Sequence, residues 1–383
     1  MIYFDNASTS LPKPPGVAEA VARAINTFGG VGRGVHEASL RAGMEVFETR
    51  EKLAHLFKAP DARHVVFSLN ATEALNIAIE GLLKPADHVI TTAASHNSVL
   101  RPLYRKRDGG VALTILPVSP DGSLGYEGFE RAINEQTRMV LTTHTSNLTG
   151  EVYDLGRIAE LCRKRNVLFV VDAAQSAGHL ELDMAKTGID VLIFSGHKGL
   201  FGPQGVGGLC VAEGIEIPPY LVGGTGAHSF DESHPSSMPD RLEAGTLNSH
   251  GIAGLKAGLD YIEETGFEVV AHKTSALTRR FREGVGVIEG VVLYGSAVNA
   301  SDLSGIVALN VGSLDSGHVS EVLYHRYGIC TRSGTHCAPL MHKALHTTEQ
   351  GVVRFSFSAL NTQEEIDVGI AAIRDISREA EGL

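Results

Sequence analysis

No apolar run in this sequence approaches the roughly 18 residues that a membrane-spanning helix needs, so a membrane is not expected as a partner. Basic runs are missing too. The 33 Lys and Arg residues face 44 Asp and Glu, a net charge of −11, which argues against nucleic acids and anionic surfaces. The opening Met1-Ile-Tyr-Phe-Asp-Asn6 has no charged segment followed by an apolar one, so no secretory signal is expected. Cysteine is scarce. Cys162, Cys210, Cys330 and Cys337 have neither zinc-site spacing nor the density of a disulfide framework, and the expected setting is the reducing cytoplasm. Tryptophan is absent, which excludes nothing. Repeats and low-complexity tracts are lacking as well.

What is present is alternation. The 383 residues, 43% hydrophobic, suffice for a large core and for two or three domains. Residues 1–15 read as an extended arm carrying Pro12, Pro14 and Pro15. Helical patterns follow at 16–28 and 39–57, separated by the glycine-rich stretch 29–34. Strands are expected at 65–69, 88–93, 111–116, 139–144, 167–172, 191–195 and 206–211. Helices are expected at 72–83, 97–107, 126–134 and 154–165. This alternation predicts an α/β fold with a mostly parallel sheet covered on both faces. The last strand follows its predecessor too closely for a helical crossover, so it is the candidate antiparallel member. Residues 220–248 read as a long irregular stretch of the kind that is often functional. A helix at 251–264 leads to a smaller α+β unit with helix 267–284, strands near 305–310 and 352–357, and a closing helix at 363–379. The expected division is a large domain over 16–255, and a small one built from 1–15 and 256–383.

The chemistry centres on Val191-Leu-Ile-Phe-Ser-Gly-His-Lys198. A buried strand ends at Ser195, and a lysine follows it at once. Read alone, Lys198 is an ordinary loop lysine. Its amine can also form a Schiff base with an aldehyde cofactor. The strand before it ends in Asp172, followed by Gln175. A carboxylate at a strand's carboxyl end lies where open parallel sheets place ligands. It could hold a pyridine nitrogen protonated, or simply cap a helix. Asp172 and Lys198 lie 26 positions apart, a spacing that suits one crossover, and together they favour pyridoxal phosphate.

Other residues join them. Thr72 and Glu73 open a helix whose free amides could cradle a phosphate. His96 follows the strand at 88–93 and could lie over a ring or move protons. Asn147 follows the strand at 139–144 and could bond a ring hydroxyl or a carboxylate. Ser195 and His197 could donate to a phosphate, and Gln175 could reach the ring's 3′-oxygen. Cys337 sits beside His336 and near Arg332 in a loop, and positive neighbours would make its thiol a nucleophile. Arg354, on an apolar strand, needs an anion. An amino acid's carboxylate and a structural ion pair both qualify.

Taken together these segments resemble the class V aminotransferase family. They are Tyr3-Phe-Asp-Asn-Ala7, Ala71-Thr-Glu73, Ser95-His96, Asn147, Val171-Asp-Ala-Ala-Gln175, Ser195-Gly-His-Lys198, Glu243-Ala-Gly-Thr246 and Arg332-Ser-Gly-Thr-His-Cys337. The last is similar to the group II cysteine desulfurases and selenocysteine lyases. The resemblance implies a fold type I pyridoxal-phosphate transferase with a seven-stranded, mostly parallel sheet. It implies Lys198 on the cofactor aldehyde, Asp172 on the pyridine nitrogen, Gln175 on the 3′-oxygen and His96 stacked on the ring. Ala71, Thr72, Ser195 and His197 would hold the phosphate. Gly245 and Thr246 would reach the phosphate of a second subunit, so a homodimer with a shared site is expected. Asn147, Arg332 and Arg354 would orient the substrate carboxylate, with Asn147 also near the cofactor and a place beside the reactive thiol as the alternative for Arg332. Cys337 would take sulfur from L-cysteine as a persulfide, release L-alanine and pass the sulfur to an acceptor protein. No metal is expected. Asn70-Ala71 departs from the glycine and threonine that many relatives carry before Thr72, so one hydroxyl donor is lost from the phosphate cup.

Two alternatives stay open. One is a selenocysteine lyase, or another class V aminotransferase, epimerase or lyase that does not use Cys337. The other is a non-catalytic protein that keeps the fold for partner binding. Purified protein is expected to be yellow and a Lys198→Ala variant colourless. Wild-type protein that stays colourless at saturating pyridoxal phosphate would end both enzyme readings.

Overall fold

The computed structural model describes residues 1–32, 34–226, 229–295 and 303–381. Arg33 of the glycine-rich stretch, and residues 227 and 228 of the irregular one, lie outside them. In chain order the elements begin with β1 (Ile2–Tyr3), α1 (Val17–Thr27), α2 (Glu37–Phe57), β2 (Val65–Ser68), α3 (Ala71–Leu82), β3 (His88–Thr92), α4 (Asn97–Asp108) and β4 (Ala112–Leu116). Next come α5 (Glu127–Ala132), β5 (Thr137–Thr143), α6 (Leu155–Arg165), β6 (Leu168–Asp172), α7 (Met184–Thr187), β7 (Val191–Ser195), β8 (Gly207–Val211) and α8 (Ser249–Thr265). The rest is α9 (Phe267–Gly286), β9 (Val291–Tyr294), β10 (Ile306–Val311), α10 (Ser316–Tyr327), β11 (Ile329–Cys330), β12 (Arg332–Gly334), α11 (Pro339–Ala344), β13 (Val352–Ser356) and α12 (Gln363–Glu381).

The strands expected between 65 and 211 form one seven-stranded sheet, in the order β2-β8-β7-β6-β5-β3-β4. Strands β4, β3, β5, β6 and β7 are parallel, and β8 runs antiparallel to both β7 and β2. The parallel strands read as unbroken apolar runs because successive residues enter different cores. Val191 and Ile193 of β7 pack in one core with Leu75 and Ile79 of α3. Leu192 and Phe194 pack in the other, with Phe57 of α2 and Leu255 of α8. Asn70 marks where β2 gives way to α3. Its side chain accepts from the Glu73 amide at 3.0 Å, capping the helix.

A second sheet, β12-β13-β10-β9, is antiparallel throughout. Its core joins Phe281 of α9, Phe355 of β13 and Phe357 to Phe4 of the N-terminal arm. The Phe4 ring meets Phe357 edge-on at 5.0 Å, and Phe281 lies 4.5 Å from Phe355. Below Phe4, β1 pairs in parallel with β11. The arm is therefore an integral part of the second core. The expected strands and helices are present, with ends shifted by a few residues. Strands β1, β9, β11 and β12 and helices α7, α10 and α11 were not anticipated. They are short, or their apolar spacing is too weak to stand out in sequence. None of the described helices is long and apolar enough to cross a membrane.

Phe4 is fully buried. Phe4→Ala is expected to lower the unfolding free energy by about 3–5 kcal/mol, read from urea denaturation.

Candidate active site

The parallel strands bring their carboxyl ends together, and the residues that follow them line one edge of the sheet. Asp172 ends β6 and pairs with Ile193 in neighbouring β7. The chain leaving β7 turns through Gly196, whose amide donates to the Val206 carbonyl at 3.0 Å. A Cβ at Gly196 would lie 2.7 Å from that oxygen, so glycine is required for the turn. Lys198 follows, half-buried. The Asp172 carboxylate is buried, and its Oδ1 accepts from the Ala174 amide at 3.0 Å. The His197 carbonyl accepts from the Ser10 amide at 3.0 Å, Thr9 Oγ1 at 3.1 Å and Lys13 Nζ at 2.9 Å. Gln175 Nε2 donates to the Ala7 carbonyl at 3.0 Å. The arm thus closes the back of the site.

His96 stands at the start of α4, where its Nδ1 accepts from the Ser98 amide at 3.0 Å. Ser98 Oγ lies 2.8 Å from the same nitrogen and 2.9 Å from Thr72 Oγ1. One hydroxyl therefore links the ring expected over a cofactor to the threonine expected on a phosphate. Ser98 was not singled out in the sequence, where it reads as a capping residue. Ala71 and Thr72 occupy the first turn of α3, where the Asn70 side chain accepts from the Glu73 amide and the Asn70 carbonyl from the Ala74 amide. Ser195 is buried and paired with Gly207. That pairing presses β8 against the start of α3: a Cβ at Gly207 would come within 2.9 Å of the Ala71 nitrogen.

The second sheet supplies the arginines. Arg332 and Arg354 are direct partners across β12 and β13. Arg354 Nη2 meets Asp5 Oδ1 at 3.0 Å and Ser8 Oγ at 2.9 Å, while Nη1 donates to the Asn147 carbonyl at 2.8 Å. Arg354 Nε is buried without a partner among the described residues. The anion foreseen for Arg354 is thus present within the chain, as the Asp5 carboxylate, and Asp5 had no assigned role in the sequence. Asn147 Nδ2 donates to the His336 carbonyl at 2.7 Å, and the Asn97 amide donates to the Cys337 carbonyl at 2.9 Å. These two bonds fasten the thiol loop to the large sheet's edge. His336 and Cys337 have φ of 50° and 55°, a left-handed backbone that costs energy in non-glycine residues. It leaves Cys337 exposed while His336 is buried. Cys337 and His96 share an open groove of about 440 Å³ with Thr72, Ser98 and Arg101.

Gly245 and Thr246 stand apart from this group. They are exposed, and Thr246 lines a different cavity with Leu69, Glu73 and Leu221. Within one chain they do not meet Lys198.

The Aminotransferase class-V family model matches residues 2–368. The chain belongs to the class V aminotransferase family. It is 36% identical over 375 residues to a probable cysteine desulfurase of Methanothermobacter thermautotrophicus, covering 96% of this chain and 92% of that one. It is 31% identical over 390 residues to a cysteine desulfurase of Pectobacterium atrosepticum, covering 99% and 93%. Among solved structures it is similar to the apo cysteine desulfurase of Thermococcus onnurineus, with a TM-score of 0.92 at 34% identity over 99% of this chain and 95% of that one. A cysteine desulfurase of Escherichia coli gives 0.87 at 29% identity over 99% and 94%.

Electrostatics in this class V aminotransferase follow from burial next to cations. His96 is held near 4 by burial, then by the charges of Lys198, Arg332, Arg354 and Arg101. His197 is likewise near 4, through burial, Lys198 and Lys13. His336 is lowered to about 3, chiefly by burial. It is neutral at physiological pH, so the cation expected beside Cys337 is not His336. Burial raises the Asp172 carboxyl, opposed by the Ala174 N–H and by Lys198. Burial lowers Lys198 to about 8, with Asp172 pulling upward and Arg354 and Arg332 adding to the lowering.

An amine with its folded pKa near 8 binds its proton less tightly than the unfolded one near 10.5. Between those values the folded chain holds fewer protons, so this group's contribution to stability rises with pH across the window and is least below 8. In cofactor-free protein, the Lys198 peptide is expected to be acylated with a midpoint near pH 8 rather than 10.5, as followed by mass spectrometry.

Proposed function

We infer that this class V aminotransferase is a pyridoxal-phosphate-dependent cysteine desulfurase, removing sulfur from L-cysteine and releasing L-alanine. The observation that carries this is the thiol. Cys337 is exposed on a strained loop, hydrogen-bonded to the His96–Asn97 segment and opening into the same groove as His96. A merely structural cysteine is usually buried, as Cys162 and Cys210 are here. The similarity to cysteine desulfurases from several organisms supports the same reading.

The residues present fit pyridoxal phosphate. Asp172 is a buried carboxylate whose only side-chain hydrogen bond among the described residues comes from an amide, so a pyridinium N–H would offset its desolvation. Among the described residues His197 Nδ1 is buried without a partner, and the first turn of α3 offers amides to an anion. Lys198 would hold the aldehyde, Asp172 the ring nitrogen and Gln175 the 3′-oxygen, with His96 against the ring. Ala71, Thr72, Ser195 and His197 would hold the phosphate, and Gly245 and Thr246 that of a second subunit. When bound, the group supplies an electron sink that stabilises negative charge on the substrate's α-carbon.

The chain's own groups do the rest. Lys198, its pKa lowered to about 8, offers far more of the neutral amine near neutral pH than a free lysine does and can both bond a carbonyl and move the α-proton. Arg354, Arg332 and Asn147 orient the α-carboxylate, Arg354 through a guanidinium already held on two sides. The Cys337 thiolate attacks the substrate sulfur. An S–S bond forms as the C–S bond breaks, its electron pair goes to the substrate carbon, and protonation there yields alanine. The persulfide on an exposed loop suits delivery to an acceptor protein, including one that builds iron–sulfur clusters. L-selenocysteine fits the same geometry as an alternative substrate.

A homodimer with a shared site is part of this reading. Leu40, Met44 and Phe47 of α2 are 56%, 62% and 52% exposed at helical spacing, an apolar stripe that suits a second subunit. The four cysteines are free, which suits a reducing cytoplasm. The division into 16–255 and 1–15 with 256–383 is supported by the separate core of the second sheet. Helix α8 continues past residue 255 and packs on α1 and α2.

Cys337→Ala is expected to reduce alanine release from L-cysteine to background while the protein stays yellow, and wild type should carry a persulfide on Cys337 by mass. Undiminished release in the variant would favour a class V enzyme that does not use this thiol.

A further inference from the structure

Arg332 and Arg354 face each other in direct register across β12 and β13. Like charges directly opposed on a sheet repel, so this pair needs something between its members. That something comes from the other end of the sequence. Ser8 Oγ donates to Asp5 Oδ1 at 2.7 Å and accepts from Arg332 Nη1 and Arg354 Nη2, both at 2.9 Å. A hydroxyl has one proton and two lone pairs, and all three are used. For Arg332 this is the one side-chain hydrogen bond among the described residues. Arg354 has others, to Asp5 and Asn147. Ser8 itself is held because Phe4 is locked in the second core, Asp5 bridges to Ser356, and the single Tyr3 Oη proton is shared between the Asp5 and Thr9 carbonyls at 3.2 and 3.1 Å.

We propose that Ser8 is a positioning residue for the substrate carboxylate, its hydroxyl joining Arg332 to Arg354 as one anion-binding fork braced by Asp5. This rests on the desulfurase reading above and deepens it: the substrate's α-carboxylate is recognised by two arginines whose spacing the N-terminal arm sets. Without the hydroxyl, Arg332 becomes a long, untethered side chain that must be ordered each time a carboxylate binds. Arg354, still held by Asp5 and Asn147, keeps its place. The loss falls on binding of the carboxylate rather than on sulfur transfer, which runs through Lys198 and Cys337.

The test is steady-state alanine release by the holoenzyme. Ser8→Ala is expected to raise KM for L-cysteine about tenfold with kcat within about twofold of wild type, and Ser8→Thr, which keeps the hydroxyl, to restore KM. In an Arg332→Ala background the same Ser8→Ala change should have little further effect, because the group it tethers is gone. A Ser8→Ala enzyme with unchanged KM overturns the proposal, as does one that loses kcat alone, or one whose effect is fully additive with Arg332→Ala. Those outcomes leave the desulfurase reading intact as long as wild type releases alanine from L-cysteine. Wild type that releases none would instead remove the reading on which the fork rests.

Discussion

The structure turns on a buried carboxylate at the end of a parallel strand. Asp172 is enclosed at the carboxyl end of β6, where the described residues give its side chain one amide hydrogen bond and the nearby charge of Lys198. Burying an ion so sparsely compensated is costly, and folding energy alone would favour an apolar residue there. The arrangement makes sense if the site is built to receive a cationic ring. Around it the charges lean the other way. Lys198, Arg332, Arg354 and Arg101 all act on His96, and this excess of positive potential suits a phosphate and a carboxylate.

The N-terminal arm is the second organising feature. It reaches the second core through Phe4, the arginines through Asp5 and Ser8, and the lysine turn through Ser10 and Lys13. A short segment therefore ties the two sheets together at the place where the candidate site residues lie. The thiol loop is tied in the same way, by Asn147 and Asn97 from the large sheet's edge. Both ties rest on hydrogen bonds to backbone carbonyls or to charged groups, which constrain direction as well as distance.

Much of this was legible in the residues. The strands at the heart of the large sheet announce themselves as apolar runs bounded by glycine or polar residues, because both faces are covered. Strand β8 could be read as antiparallel because the segment from Ser195 to Gly207 is too short for a crossover. Asp172 and Lys198 stood out because charged residues at the ends of buried strands require a reason. Ser8, Asp5 and Ser98 did not, since a serine or aspartate in a polar stretch has many ordinary uses. His336 was misread: next to Cys337 in sequence it looked like a cation, but its ring is buried against His342 and neutral.

The order of chemical groups along the chain, and the periods of its apolar residues, were enough by themselves to determine the kind of sheet, and to single out the strand ends, the lysine and the thiol on which the proposed chemistry rests. Those features depend on local composition and on rules of connection that act over a few tens of residues. Tertiary structure decided which groups meet across hundreds of positions: Ser8 with Arg332, Asp5 with Arg354, and the thiol loop with the start of α4. It also decided which ionisable groups carry charge. Contact and desolvation are properties of the packed molecule, and no spacing along the chain encodes them.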